Sequence, residues 1–144
     1  MGLFVRGVET EVIRVKVSVR FRAPDGTWTR QRDGIVDTGS PHSVVPRSAW
    51  QDARHVLLSD AECPIGGVGG GARPARIAQL QMAVEDGSYL SPPLAIRAFL
   101  VPDDSEPLLL GFQDFLSRVV LHCDCPQDEV YLQFPSTLGS PARG

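Results

Sequence analysis

The chain has 144 residues, 42% of them hydrophobic and 22% charged, with a formal net charge of −3. That length is one domain with room for a proper core, and the slight acidity gives no ground for binding nucleic acid or an anionic membrane. No apolar run is long enough to span a bilayer. Met1 to Val12 lacks the apolar stretch of a signal peptide, and Arg6 stands where a myristoylation signal wants Ser or Thr, so a cytoplasmic location is expected.

From Val12 to Arg22 the alternation is strict. Ile13, Val15, Val17, Val19 and Phe21 take one face, and Arg14, Lys16, Ser18, Arg20 and Arg22 the other. Period two over that length predicts a half-buried strand. Pro24-Asp25-Gly26 reads as a tight turn, and Trp28 opens a return strand that runs to Asp37. Ile35-Val36 thus delivers a carboxylate to the end of a strand, and Ser43-Val44-Val45 leaves on the far side. Between them lies Asp37-Thr38-Gly39-Ser40, which on its own terms is either a functional acid turn or an ordinary polar β-turn.

Pro46 can open a short helix, with Trp50, Ala53 and Val56 or Leu57 as core contacts and His55 on its surface. Ile65 to Gly71 is rich in glycine. No Lys-Ser or Lys-Thr follows, so it is not a P-loop. A dinucleotide fingerprint needs a helix afterwards, whereas Ala78, Leu80, Met82 and Val84 alternate as a strand. A mobile hairpin tip and a glycine-rich surface loop both remain open. Glu85-Asp86-Gly87-Ser88 predicts a hairpin turn. Leu94 to Val101, apolar except at Arg97 and nearly unbroken, predicts a strand covered on both faces. Asp103 to Pro107 reads as a solvated acidic loop. Leu108-Leu109-Leu110-Gly111 predicts a buried strand, and Phe112, Phe115, Leu116 and Val119 an amphipathic helix. A last hairpin spans Val120 to Phe134, and residues 135–144 read as a disordered tail behind a single domain over 1–134.

Cys63, Cys123 and Cys125 are an odd number, expected as free thiols in a reducing compartment. With His122 they have neither the spacing nor the ligand count of a common zinc site, so no metal and no cofactor is expected.

Asp37-Thr38-Gly39-Ser40 resembles the active-site turn of aspartic proteases, and in so short a chain it resembles the retropepsin family. Ile65 to Gly70 resembles the flap tip of the human immunodeficiency virus protease, with Val68 in place of an isoleucine. Leu108 to Gly111 with the segment after it resembles the apolar-apolar-glycine motif that packs beneath the retropepsin acid turn. The final hairpin is absent from the retroviral enzymes. It resembles the protease domain of the DNA-damage-inducible protein family and single-domain bacterial relatives. Together these motifs cover roughly residues 12 to 134.

The resemblance implies a mostly all-β closed barrel of the acid-protease type, with one or two short helices, acting as a C2 homodimer. It implies an aspartic endopeptidase, because a chain with one acid turn must borrow the second from its twin. Two Asp37 carboxylates about 3 Å apart would share a proton and activate a water. Thr38 would brace the two turns across the axis, Gly39 would admit the substrate backbone, and Ser40 would donate a hydrogen bond to the carboxylate, favouring an acid-side optimum. An extended polypeptide would lie under Ile65, Gly66, Gly67, Val68, Gly69 and Gly70, with Leu109 and Leu110 as walls from below. Where the immunodeficiency virus enzyme carries two aspartates and a pairing arginine, this chain has Pro41, His42 and Phe112, so retroviral specificity does not transfer. The competing reading is a catalytically inactive peptide-binding or dimerisation module on the same barrel.

Overall fold

The structure, a computed structural model, describes residues 15–66, 72–124, 126–127 and 129–135. Val15–Phe21 forms β1, with Val19 and Phe21 buried and Val15 and Val17 packed against the core, as the alternation requires. Gly26 turns the chain at φ 86, where a side chain would be strained. The return strand is shorter than expected. Trp28 makes only an isolated bridge to Arg22, whose guanidinium lies 3.8 Å from the centre of the indole ring, and β2 begins at Arg32 and ends at Val36.

After the acid turn come β3 (Ser43–Val45) and a four-residue α1 (Arg47–Trp50), with Pro46 as its N-cap. The short helix expected from Pro46, with contacts as far as Val56 or Leu57, ends already at Trp50. His55–Leu57 is instead β4, antiparallel to a later strand, and Val56 is 62% exposed rather than in the core. His55 is half-buried in that strand, edge-on to Trp50 at 5.5 Å, not on a helix surface. Cys63–Gly66 (β5) and Ala72–Asp86 (β6) pair antiparallel from Cys63↔Ala75 to Gly66↔Ala72. The glycine-rich stretch therefore continues into a strand, and the helix a dinucleotide site needs is not there.

Tyr89–Leu90 (β7) folds back through Gly87 at φ 58. Leu94–Leu100 (β8) alternates instead of being covered on both faces. Leu94, Ile96, Ala98 and Leu100 are buried while Arg97 is exposed, because β8 lies in a barrel wall with only one side facing the core. Leu109–Leu110 forms β9, and Val120–Asp124 (β10) pairs with Glu129–Gln133 (β11) as the last hairpin. The amphipathic helix after Gly111 is reduced to a turn and a 3-10 helix over Leu116–Arg118, with Phe112 49% exposed.

Hydrogen bonding runs β1-β2-β9-β3-β8-β6, and β6 returns to β1, closing a six-stranded barrel. Closure leaves no free edge within that ring. β4 takes the part of β6 that β1 leaves unpaired. Phe21, Leu80, Met82, Leu94, Ile96, Leu110 and Phe115 fill the interior. The architecture is mostly β with very few short helices, as expected. No described helix is long and apolar enough to cross a membrane.

Candidate active site

β2 and β3, the strands on either side of the acid turn, are not neighbours. β9 lies between them, parallel to β2 at Ile35↔Leu109 and Val36↔Leu110 and antiparallel to β3 at Val44↔Leu109. The turn from Asp37 to His42 therefore has to arch over the end of β9. The Asp37 amide donates to the Leu110 carbonyl at 2.9 Å, which fixes where the strand stops and the turn begins.

Gly111 lies under the arch. A Cβ built on it would stand 2.4 Å from the His42 carbonyl oxygen and 2.6 Å from that of Ser40, so no other residue fits without moving the backbone. The next two amides bind the same arch: Phe112 donates to the Ser40 carbonyl and Gln113 to the Pro41 carbonyl, each at 2.9 Å. The Gly111 amide is met by the hydroxyl of Ser43, a fully buried side chain, at 3.0 Å. The signal for Ser43 is a hydroxyl in an otherwise apolar strand, Ser43-Val44-Val45. Ser43→Ala would leave a buried N–H unpaired, at a cost of about 1–3 kcal/mol. A melting temperature equal to wild type at the same protein concentration would refute that role.

On this platform the Asp37 carboxylate is half-buried, and Thr38 and Gly39 are exposed. The Gly39 amide donates to Asp37 Oδ1 at 3.0 Å. The Ser40 hydroxyl does not reach the carboxylate as expected. It donates to the His42 carbonyl at 2.6 Å, because the arch bends that carbonyl back towards it. The donor to Asp37 is thus a backbone amide two residues on, and Ser40 shapes the turn.

His42 and Gln113 are joined at 2.7 Å, Nδ1 to Oε1, and His42 also meets Phe99 edge-on at 5.1 Å. The acid turn and the segment after Gly111 are therefore tied by a side-chain pair. Phe112 points to solvent, and Gln113, one position on, makes the contact. Gln113 carries no signal in the sequence, since its meaning depends on a residue 71 positions away.

Asp114 holds this segment in place from the other side. Its φ is 64, a left-handed conformation that interrupts any continuous helix after Gly111. Arg97 grips it from β8, with Nε to Oδ2 at 2.8 Å, Nη2 to Oδ1 at 3.2 Å and the Arg97 amide to Oδ2 at 3.0 Å. The side-chain bonds from Arg97 hold the Asp114 carboxyl below its ordinary value, against the opposing pull of partial burial. A depressed carboxylate stabilises the fold above the unfolded value, near pH 4, and loses that contribution as pH falls through its folded value. Asp114→Ala keeps the strained backbone and removes the grip, whereas Asp114→Gly removes both. Glycine should therefore be the milder substitution by about 1 kcal/mol, and both variants should flatten the loss of stability below pH 4. Equal acid melting profiles for wild type and variants would show that the pair is idle.

Of the residues proposed to touch substrate, Ile65 is half-buried in β5 and Gly66 pairs with Ala72 at the last described rung of the hairpin. Gly67, Val68, Gly69 and Gly70 lie outside the described residues. Leu109 is half-buried. Leu110 is fully buried, with its side chain against the Gly34 backbone, so it is core and not a subsite wall. Among the described residues no cluster of His, Cys, Asp and Glu could hold a metal.

The connectivity settles the architecture: a closed barrel, an acid turn arched over an inserted strand, and an apolar-glycine segment packed beneath it. This arrangement agrees with the fold that the resemblance to retropepsins implies. Two solved structures resemble it. The EIAV protease complexed with the inhibitor HBY-793 is 18% identical, with a TM-score of 0.41 over 75% of this chain and 88% of its own. A retropepsin-like aspartic protease from Rickettsia conorii is 17% identical, with a TM-score of 0.46 over 86% of this chain and 97% of its own. No protein-family model and no curated protein matches the chain. The barrel is followed by the β10–β11 hairpin, whose Leu121 and Leu132 pack against the core.

Proposed function

We propose that the chain is an aspartic endopeptidase, active as a homodimer, that cleaves polypeptides bound in extended form. The observation that carries this reading is the acid turn itself. Asp37 is held from beneath by β9 and the rest of its turn by Phe112 and Gln113, while Thr38 and Gly39 stay exposed. A carboxylate so firmly placed, with its turn open to a second copy, suits a dyad built across a two-fold axis.

In that dyad the ionised Asp37 takes a proton from a water as the water oxygen bonds to the scissile carbonyl carbon. The partner's Asp37, protonated, gives its hydrogen to the carbonyl oxygen. Collapse of the tetrahedral species returns one hydroxyl proton to the partner's carboxylate, while Asp37 gives the proton it took from water to the amine nitrogen as the C–N bond breaks, so the dyad again holds one proton. The two titrations belong to the pair, not to either residue. The β5–β6 hairpin would cover the substrate and pair with it through its backbone.

Digestion of a peptide library by the purified protein from acid to neutral pH tests the reading. Reproducible cleavage at internal bonds is expected. Binding of peptides without cleavage at any pH would replace the enzyme by a peptide-binding module.

A further inference from the structure

Outside the acid turn, α1, β4, the end of β8 and the stem of the β5–β6 hairpin enclose a cavity of about 340 Å³. Its volume is in the range that takes a small molecule. Neither Asp37, Thr38 nor Gly39 lines it.

The walls are largely apolar, with Trp50, Leu57 and Leu100 among them. The Trp50 N–H is already used, donating to the Val101 carbonyl at 2.7 Å, so the indole offers the cavity carbon surface rather than a donor. His55 stands edge-on to that indole, and its Nδ1 lies 3.0 Å from the Ala53 carbonyl, which places the ring proton on Nδ1.

The charge at this cavity is uneven. Two arginines, Arg47 and Arg76, and one acid, Glu62, are among its lining residues. Glu62 holds Arg76 only loosely, at 3.8 Å with both side chains about half exposed (50% and 55%). Such a pair is worth little in water and can be opened by a better acceptor. Guanidinium is a planar fork that meets a carboxylate by two parallel hydrogen bonds.

An apolar chamber with a surplus of one guanidinium suits a ligand with an apolar body and a single anionic end. We propose that this cavity is a second ligand site, taking a small aryl or alkyl monocarboxylate. Its hydrocarbon lies against Trp50 and Leu57, and its carboxylate lies on Arg47 and Arg76. No residue of the acid turn belongs to the site, which shares only the stem of the β5–β6 hairpin with the element proposed to cover the substrate.

Calorimetric titration of the Asp37→Asn protein with 4-phenylbutyrate tests this without turnover. One site per chain is expected, with the neutral 4-phenylbutyramide and the cationic 4-phenylbutylamine each at least about tenfold weaker. Arg47→Gln with Arg76→Gln, both exposed positions that leave the core untouched, should weaken the acid by at least about tenfold while circular dichroism stays unchanged. Leu57→Asp, also at an exposed position, should weaken it through the apolar wall. Failure of the acid to bind, equal binding of acid and amide, or indifference to the arginine substitutions would each overturn the proposal. None of these outcomes bears on whether the wild-type protein cleaves peptides.

Discussion

Gly111→Ala is expected to lower the melting temperature by about 10 °C or more and to remove activity with it. The added carbon would stand 2.4 Å from one backbone oxygen of the acid turn and 2.6 Å from another. Neither oxygen is on a flexible side chain. The Ser40 carbonyl is held by the Phe112 amide, and the His42 carbonyl by the Ser40 hydroxyl. Relief requires lifting the whole arch, which breaks the bonds from the Phe112 and Gln113 amides to the Ser40 and Pro41 carbonyls, for a total of at least about 3 kcal/mol. Gly34→Ala is the control. Its Cβ would also be close, 2.9 Å from Leu110 Cδ1, yet that atom is the end of a side chain that can turn. About 1 kcal/mol is expected there. Similar losses at the two positions would show that the arch is softer than its hydrogen bonds imply.

Asp37→Asn is expected to reduce kcat/KM by at least about 10³-fold while leaving the fold intact, because it removes the group that carries the proton. The substitution is close to isosteric. The asparagine oxygen can still accept the Gly39 amide, which now reaches Asp37 Oδ1 at 3.0 Å, so the turn keeps its shape. Melting temperature should stay within about 3 °C of wild type. Residual cleavage near the wild-type rate would remove Asp37 from the chemistry. A collapse of the fold would instead assign it a structural role.

Much of the barrel was legible because it is written in local alternation. Val15 to Phe21 carries period two for the length of β1 and Ala78 to Met82 for the middle of β6, with Val19, Phe21, Ala78, Leu80 and Met82 buried as that period requires; Ala83, on the other face, is buried as well. The closure, and the strand inserted under the acid turn, came from the resemblance of three motifs and not from any local pattern. What could not be read depends on partners far along the chain. Apolar residues at helical spacing from Phe112 to Val119 gave no warning that Arg97 would hold Asp114 at a left-handed φ and stop the helix. The same spacing from Trp50 to Leu57 was overruled by β6, whose open edge recruits His55 to Leu57 as a strand. Ser40 looked like a donor to its neighbouring carboxylate. The bend of the arch brings the His42 carbonyl nearer, and the hydroxyl follows it.

The most direct test of a site shared between two copies is activity in mixtures of wild type and Asp37→Asn at fixed total concentration, after subunits have exchanged. If each active site needs an intact Asp37 from both chains, activity falls as the square of the wild-type fraction, to about a quarter in an equal mixture. A linear fall, to about half, would mean that one chain carries out the chemistry alone and would contradict the account.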